Sequence, residues 1–162
     1  MKFTTSDKSG RQTFRDIHHL HISSPEFDAN GFIPPRFTCD GANINPPLEI
    51  NDVPSKAQSL ALIVDDPDAP IRAWVHWLAW NIPVVQHIKE DTPLKDQGVN
   101  DFRLNKYGGP CPPYGMHRYY FKVYALDTLL ALPPETGKNE LEKAMHGHVV
   151  AYGELIGKYK RR

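Results

Sequence analysis

Residues 118–126 read RYYFKVYAL, and their alternation decides the fold. Tyr119, Phe121, Val123 and Ala125 share one face; Arg118, Tyr120, Lys122 and Tyr124 share the other. A period of two over this length argues a half-buried β-strand. Upstream, Ser59 to Val64 is an unbroken apolar run of strand length, as expected of a strand buried on both faces. It stops at DDPDAP, Asp65 to Pro70, and Trp74 to Trp80 follows as the next strand. His18 to Ile22 alternates, with His18, Leu20 and Ile22 opposite His19 and His21, and Val149 to Ile156 closes as a last strand. Asn139 can cap a short helix with Glu142 as its box partner, after which Leu141, Ala144, Met145 and His148 fall at helical spacing. The sum is a mainly β domain, largely antiparallel, in which two sheets pack as a sandwich with one helix late in the chain.

The chain has 162 residues and a mass of 18.4 kDa, which suits one domain. Residues 1–16 read as a flexible, charged leader and residues 17–162 as the domain. Nineteen basic side chains balance nineteen acidic ones, so a nucleic-acid partner held by bulk charge is excluded. Fifteen prolines favour turns and rigid loops over long helices. The longest uncharged apolar stretch, Ala73 to Val85, falls short of the ~20 residues that a spanning helix needs. The N-terminal residues lack the apolar core of a signal peptide, so a cytoplasmic protein is expected, or a periplasmic or secreted one if a leader was removed. Cys39 and Cys111 form no CxxC pair, which excludes a zinc ribbon. They read either as two reduced thiols or as one disulfide closing a long loop, worth about 4 kcal/mol if unstrained.

Three segments place unusual chemistry at strand ends. In DDPDAP, Asp66 and Asp68 sit between Pro67 and Pro70, so the turn is stiff. In WVHWLAWNIP, Trp74 to Pro83, strand parity puts Trp74, His76, Leu78 and Trp80 on one side and Val75, Trp77 and Ala79 on the other. In YGGPCPPYGMHRYYF, Tyr107 to Phe121, Gly108 and Gly109 let the backbone approach a ligand, and His117 shares parity with Tyr119. Taken singly, these segments read equally well as a rigid turn, a core histidine and a Gly/Pro turn entering a strand. Together they can converge on one small anion site. Imidazolium groups supply charge, glycine amides supply neutral donors, and the two acids orient the imidazoles and raise their pKa values. Between Gln86 and Tyr107 the chain is polar and aperiodic, the pattern of a long functional loop.

These segments, in this order, resemble the phosphatidylethanolamine-binding protein family, on its bacterial and archaeal, Raf kinase inhibitor-like side. DPDAP at Asp66–Pro70, VHWLAWNIP at Val75–Pro83, GGPCPP at Gly108–Pro113 and GMHRYYFKVYALD at Gly115–Asp127 carry the resemblance. CDGANINPPLE at Cys39–Glu49 and HVVAYGELIGKY at His148–Tyr159 extend it over residues 17–160. The resemblance implies a Greek-key β-sandwich of two antiparallel sheets with one or two short helices. It implies a pocket for phosphate-type anions or phosphorylated head groups near one end. By motif, the ligand-binding residues are then Asp66, Asp68, His76, Gly108, Gly109, Pro110, His117 and Tyr119. It also implies a cis peptide bond at Ala69–Pro70.

A non-catalytic binding or regulatory protein is therefore expected, with no cofactor, no metal and a small anionic ligand. Two alternatives stand beside it. One is a protein inhibitor of a kinase or protease acting through surface loops, with the Gln86–Tyr107 segment as its surface. The other is a metal-dependent or acid–base hydrolase using His76, His117 and Asp66. No H-E-x-x-H or G-x-S-x-G motif supports the latter. Bacterial relatives suggest a homodimer.

Overall fold

The computed structural model describes residues 2–6 and 12–161, with side-chain surroundings from Ile17 onward. In chain order the strands are β1 (Lys2–Ser6), β2 (Gln12–Asp16), β3 (His18–His19), β4 (His21–Ser23), β5 (Leu48–Asn51) and β6 (Ser59–Asp66). They continue as β7 (Trp74–Ile82), β8 (His87–Ile88), β9 (Asp96–Gln97), β10 (Met116–Leu126) and β11 (Val149–Lys160), with helix α1 (Lys138–Met145) before the last strand. A 3-10 turn covers Pro35–Phe37. Six strands form the large sheet, in the order β3-β11-β10-β6-β7-β9, and three form the small one, β4-β5-β8. All their pairings are antiparallel except that of β3 with β11. The fold is mainly β, and its two principal sheets form the expected sandwich.

Strand β6 explains the layering. Leu60, Leu62 and Val64 point into the core between the sheets, where Ile22, Leu48, Ile50 and Ile88 meet them from the small sheet. Ala61 and Ile63 point the other way, into a second cluster closed by Leu141 and Met145 of α1. Both faces are covered, so the run needs no polar alternation. At β10 the alternation reads true: Phe121 and Val123 face the main core and Tyr124 the helix side.

Several expectations change in detail. His18–Ile22 does not form one strand. Its first two residues join the large sheet and His21–Ser23 join the small one, with buried Leu20 crossing between. The Leu20 amide donates to the Tyr152 carbonyl at 2.8 Å, which fixes the crossing. The helix begins at Lys138, with Gly137 at its cap. Glu140 accepts from the Gly137 amide at 3.2 Å, so the box sits two residues earlier than Asn139 and Glu142 would have it. The helix ends before His148, whose ring pairs with exposed Asp127 at 2.8 Å. Gly147, at φ +82°, supplies the left-handed residue that ends it.

Cys39 and Cys111 are bonded, with Cα atoms 5.4 Å apart. No cis peptide bond occurs among the described residues, so Ala69–Pro70 is trans. The chain turns there through a left-handed Ile71 at φ 76°, whose side chain is fully exposed. In the segment expected as a flexible leader, β1 and β2 pair as an antiparallel hairpin; residues 1 and 7–11 lie outside the described residues. Among the described residues, no helix is long and apolar enough to cross a membrane.

Gly153 on β11 admits the sheet crossing, because a Cβ there would stand 2.2 Å from the Leu20 carbonyl oxygen. Gly153→Ala is expected to destabilise the fold by about 3 kcal/mol, at the upper end of overpacking costs. Urea unfolding checks it: the midpoint should fall at an unchanged m-value.

Candidate functional site

The cavity lies where β6, β7 and β10 meet at one end of the large sheet. Register brings the parts together. Asp65 lies opposite Tyr120 of β10 and Val75 of β7, and Asp66 lies opposite Trp74. The β6–β7 register shifts between Val64 and Asp65: Val64 pairs with Trp77 and Asp65 with Val75. His76 is the extra residue of this bulge. Simple parity placed His76 opposite Trp77; the bulge puts both on the inner side while Val75 packs outward.

The floor of the cavity is polar, formed by Asp66, His76, His117 and Tyr119, all buried. The His117 Nδ1–H donates to Asp66 Oδ2 at 2.6 Å. Asp66 Oδ1 accepts the Asp68 amide at 2.8 Å, which also stiffens the proline turn. His76 donates from Nδ1 to the Gly108 carbonyl at 2.7 Å, because a carbonyl can only accept. Its ring stands edge-on to Tyr119, with centroids 5.2 Å apart. The Tyr119 hydroxyl is buried and has no hydrogen-bond partner. The walls are apolar: Ala69 and Pro70 on one side, Trp74 and Phe102 on another, and Cys111, Pro112 and Pro113 on a third. The cavity volume is about 310 Å³. That is room for about ten waters at their liquid volume, so a phosphate group, with five non-hydrogen atoms, does not fill it.

Of the eight residues singled out in the sequence, Asp66, His76, His117 and Tyr119 line the cavity; Asp68, Gly108, Gly109 and Pro110 do not. Asp68 is clamped outside it by Arg118, whose guanidinium and amide all reach its carboxylate within 2.9 Å. Hydrogen bonds from Arg118 hold the Asp68 carboxyl below the usual carboxylate range. The glycine amides are already committed. Gly108 donates to the His76 carbonyl at 3.0 Å and Gly109 to Asn43 Oδ1 at 2.8 Å. Glycine is required at 108 and 109 by close packing, not by a ligand. A Cβ on Gly108 would meet the Phe102 ring at 2.6 Å, and one on Gly109 the Phe37 carbonyl at 2.4 Å. Pro110 is buried behind the wall and accepts the Cys39 amide at 3.1 Å.

Charge also differs from expectation. Burial pushes the His76 pKa down, against weaker upward pulls from the Gly108 carbonyl and Asp66. His76 is therefore a neutral imidazole at pH 7, with its proton on Nδ1 and an acceptor lone pair on Nε2.

The Gln86–Tyr107 segment is not a structureless loop. It carries β8 and β9 and is organised around buried Asn100. Asn100 Nδ2 donates to the His76 and Lys106 carbonyls at 3.1 and 2.8 Å. Its Oδ1 accepts the Phe102 and Leu104 amides, each at 3.0 Å. This hub sets Phe102 edge-on to His76 and Trp74, at centroid distances of 5.3 and 5.7 Å. Neighbouring Asp101 accepts the Val75 amide at 2.7 Å and pairs with Arg72. Sequence reading missed Asn100 and Phe102. Their one signal was a lone aromatic in a polar stretch. Trp74 was visible through its parity with His76.

The chain is thus a two-sheet β-sandwich whose buried His–Asp pair, second histidine and tyrosine share one end cavity. The family model described as phosphatidylethanolamine-binding protein matches residues 23–160, and the chain belongs to that family. A UPF0098 protein of Pyrococcus horikoshii is 51% identical over 154 residues, covering 88% of this chain and 77% of the relative. A UPF0098 protein of Methanothermobacter thermautotrophicus is 47% identical, covering 88% and 99%. Among solved structures, CT736 of Chlamydia trachomatis, titled a homologue of phosphatidylethanolamine-binding protein, superposes with a TM-score of 0.85 at 39% identity. The match covers 90% of this chain and 99% of that one. YbcL of E. coli, titled a member of the mammalian PEBP family, gives 0.82 at 29% identity, covering 88% and 99%.

The depressed His76 pKa has a sign that can be tested. Below about pH 6.5 the unfolded chain takes up a proton that folded His76 refuses. Stability contributed by this group is thus complete above pH 6.5 and is lost as pH falls towards the folded value. His76→Asn keeps a donor for the Gly108 carbonyl but does not titrate. Melting curves between pH 7.5 and 5 should fall less steeply for His76→Asn than for the unaltered protein; equal slopes would refute the assignment.

Proposed function

We propose that the cavity binds a small phosphate-type anion or a phosphorylated head group, and that the protein acts by binding and not by catalysis. The observation that carries this reading is the Tyr119 hydroxyl, a buried donor without a partner on a residue that lines the cavity. Leaving such a group unsatisfied costs about 1–3 kcal/mol, which a guest oxygen would recover. The neighbouring groups suit the same guest. His76 Nε2 can accept from a proton-bearing oxygen, and His117 lines the same cavity as Tyr119. The Asp66 carboxylate, which would repel an anion, is engaged by the His117 ring and the Asp68 amide. Membership of the phosphatidylethanolamine-binding protein family supports a head-group ligand.

The absence of catalysis is part of the proposal. Cys111, the one cavity-lining thiol residue, is tied up in the disulfide, so it offers no thiolate nucleophile. His117 with Asp66 has the geometry of a general base, but the nearest hydroxyl supplied by the cavity wall is a phenol. Burial raises the pKa of that phenol further.

The guest must share at least one proton with the site, because neutral His76 offers a lone pair, and a phosphate monoester, with its second pKa near 6, loses its last proton as pH rises past that value. Affinity is therefore expected to fall as pH rises through 6 to 8. Titration calorimetry with inorganic phosphate and with O-phosphoethanolamine tests this. Heat is expected at pH 6 from both, with O-phosphoethanolamine binding at least tenfold weaker at pH 8. Tyr119→Phe should weaken binding at pH 6 by about 1 kcal/mol, the worth of one hydrogen bond. No heat at pH 6 from either compound refutes the reading.

A further inference from the structure

We propose that the Cys39–Cys111 disulfide is a redox-sensitive latch on the cavity wall, closed when oxidised and opened by a dithiol reductant. The proposal rests on reading the cavity as a ligand site, and it stands on the construction of the wall. Cys111 lines the cavity and is followed in the wall by Pro112 and Pro113. Pro110, Pro112 and Pro113 have no N–H, so this stretch cannot be secured as a strand is. It is instead tied to the 38–41 turn, through the Pro110 carbonyl, which accepts the Cys39 amide at 3.1 Å, and through the disulfide. That turn is rigidly held in its own right. Asp40 accepts the Tyr159 hydroxyl at 2.6 Å and pairs with Arg161 at 3.1 Å, which anchors it to the end of β11.

At its other end the wall meets Gly115, at φ +73° and with open space where a side chain would stand. The wall is thus a short proline-stiffened flap with a glycine pivot at one end and a covalent tie at the other. Both cysteines are partly exposed, so a reductant can reach the bond. A thiolate of the reductant attacks one sulfur and breaks the S–S bond, giving a mixed disulfide. The reductant's second thiol displaces the protein sulfur. The reductant leaves as its own cyclic disulfide, and two electrons and two protons end on Cys39 and Cys111 as thiols. Released, the wall swings about Gly115, Pro112 and Pro113 leave their positions against the guest, and the preorganised cavity is lost.

The test compares the oxidised protein with the same protein reduced by dithiothreitol and held without oxygen. Amide exchange of residues 107–118 and phosphate calorimetry at pH 6 are followed together. Reduction is expected to accelerate exchange in 107–118 while sparing β6, and to weaken phosphate binding about tenfold. Reoxidation should restore both. The Cys39→Ala, Cys111→Ala double variant should match the reduced state without added reductant. Unchanged exchange overturns the proposal. So does faster exchange with unchanged affinity, and so does exchange that rises equally in β6, which would make the bond a staple for the whole fold. If exchange responds as expected but the oxidised protein binds no phosphate, the latch stands and the anion reading falls.

Discussion

Two adjacent carboxylates at the end of a fully buried strand constrain most of this molecule. A buried carboxylate is tolerated only with partners. Asp65 and Asp66 point to opposite faces of the large sheet, so each recruits its own. Asp65 takes the ammonium groups of Lys122 and Lys138, at 3.0 and 2.8 Å. Asp66 takes the His117 ring and the Asp68 amide. The first set locks β10 and the start of α1 onto the outer face. The second fixes the start of β10 against the proline turn. The cavity floor and the helix are thus positioned by neighbouring residues of one strand, each answering a desolvated charge on its own side.

That arrangement reframes the chemistry of the floor. The glycines spend their amides on the protein, and Asp68 is neutralised outside the cavity by Arg118. What remains for a guest is a hydroxyl, a neutral imidazole and a histidine paired with its own carboxylate. On the proposed reading, the site would select by hydrogen bonding and by the protonation of its guest, with little attraction at long range. This fits a chain whose net charge is zero.

Much of the fold was legible in the sequence because its signals were local. The alternation of β10 and the apolar run of β6 each follow from where water is excluded, and the structure keeps both. Half of the candidate site was legible for a related reason: His117 and Tyr119 share strand parity, and Asp66 ends a strand. The illegible parts depend on pairings between distant residues. The bulge that turns His76 inward exists only in the register of β7 against β6. The order imposed by Asn100 needs carbonyls and amides brought together by the closed fold. The disulfide could not be chosen over two free thiols until the 38–41 turn met the proline wall. Leu20 looked like the middle of one strand because alternation does not record which sheet a residue joins.

The large sheet ends on both sides in strands of only two residues, His18–His19 and Asp96–Gln97. Such stubs offer another chain almost no ladder of free amides and carbonyls to zip onto. At the edges of this sheet, association between copies would therefore have to use side-chain surfaces, since continuous β-extension from copy to copy finds no rung long enough to start on.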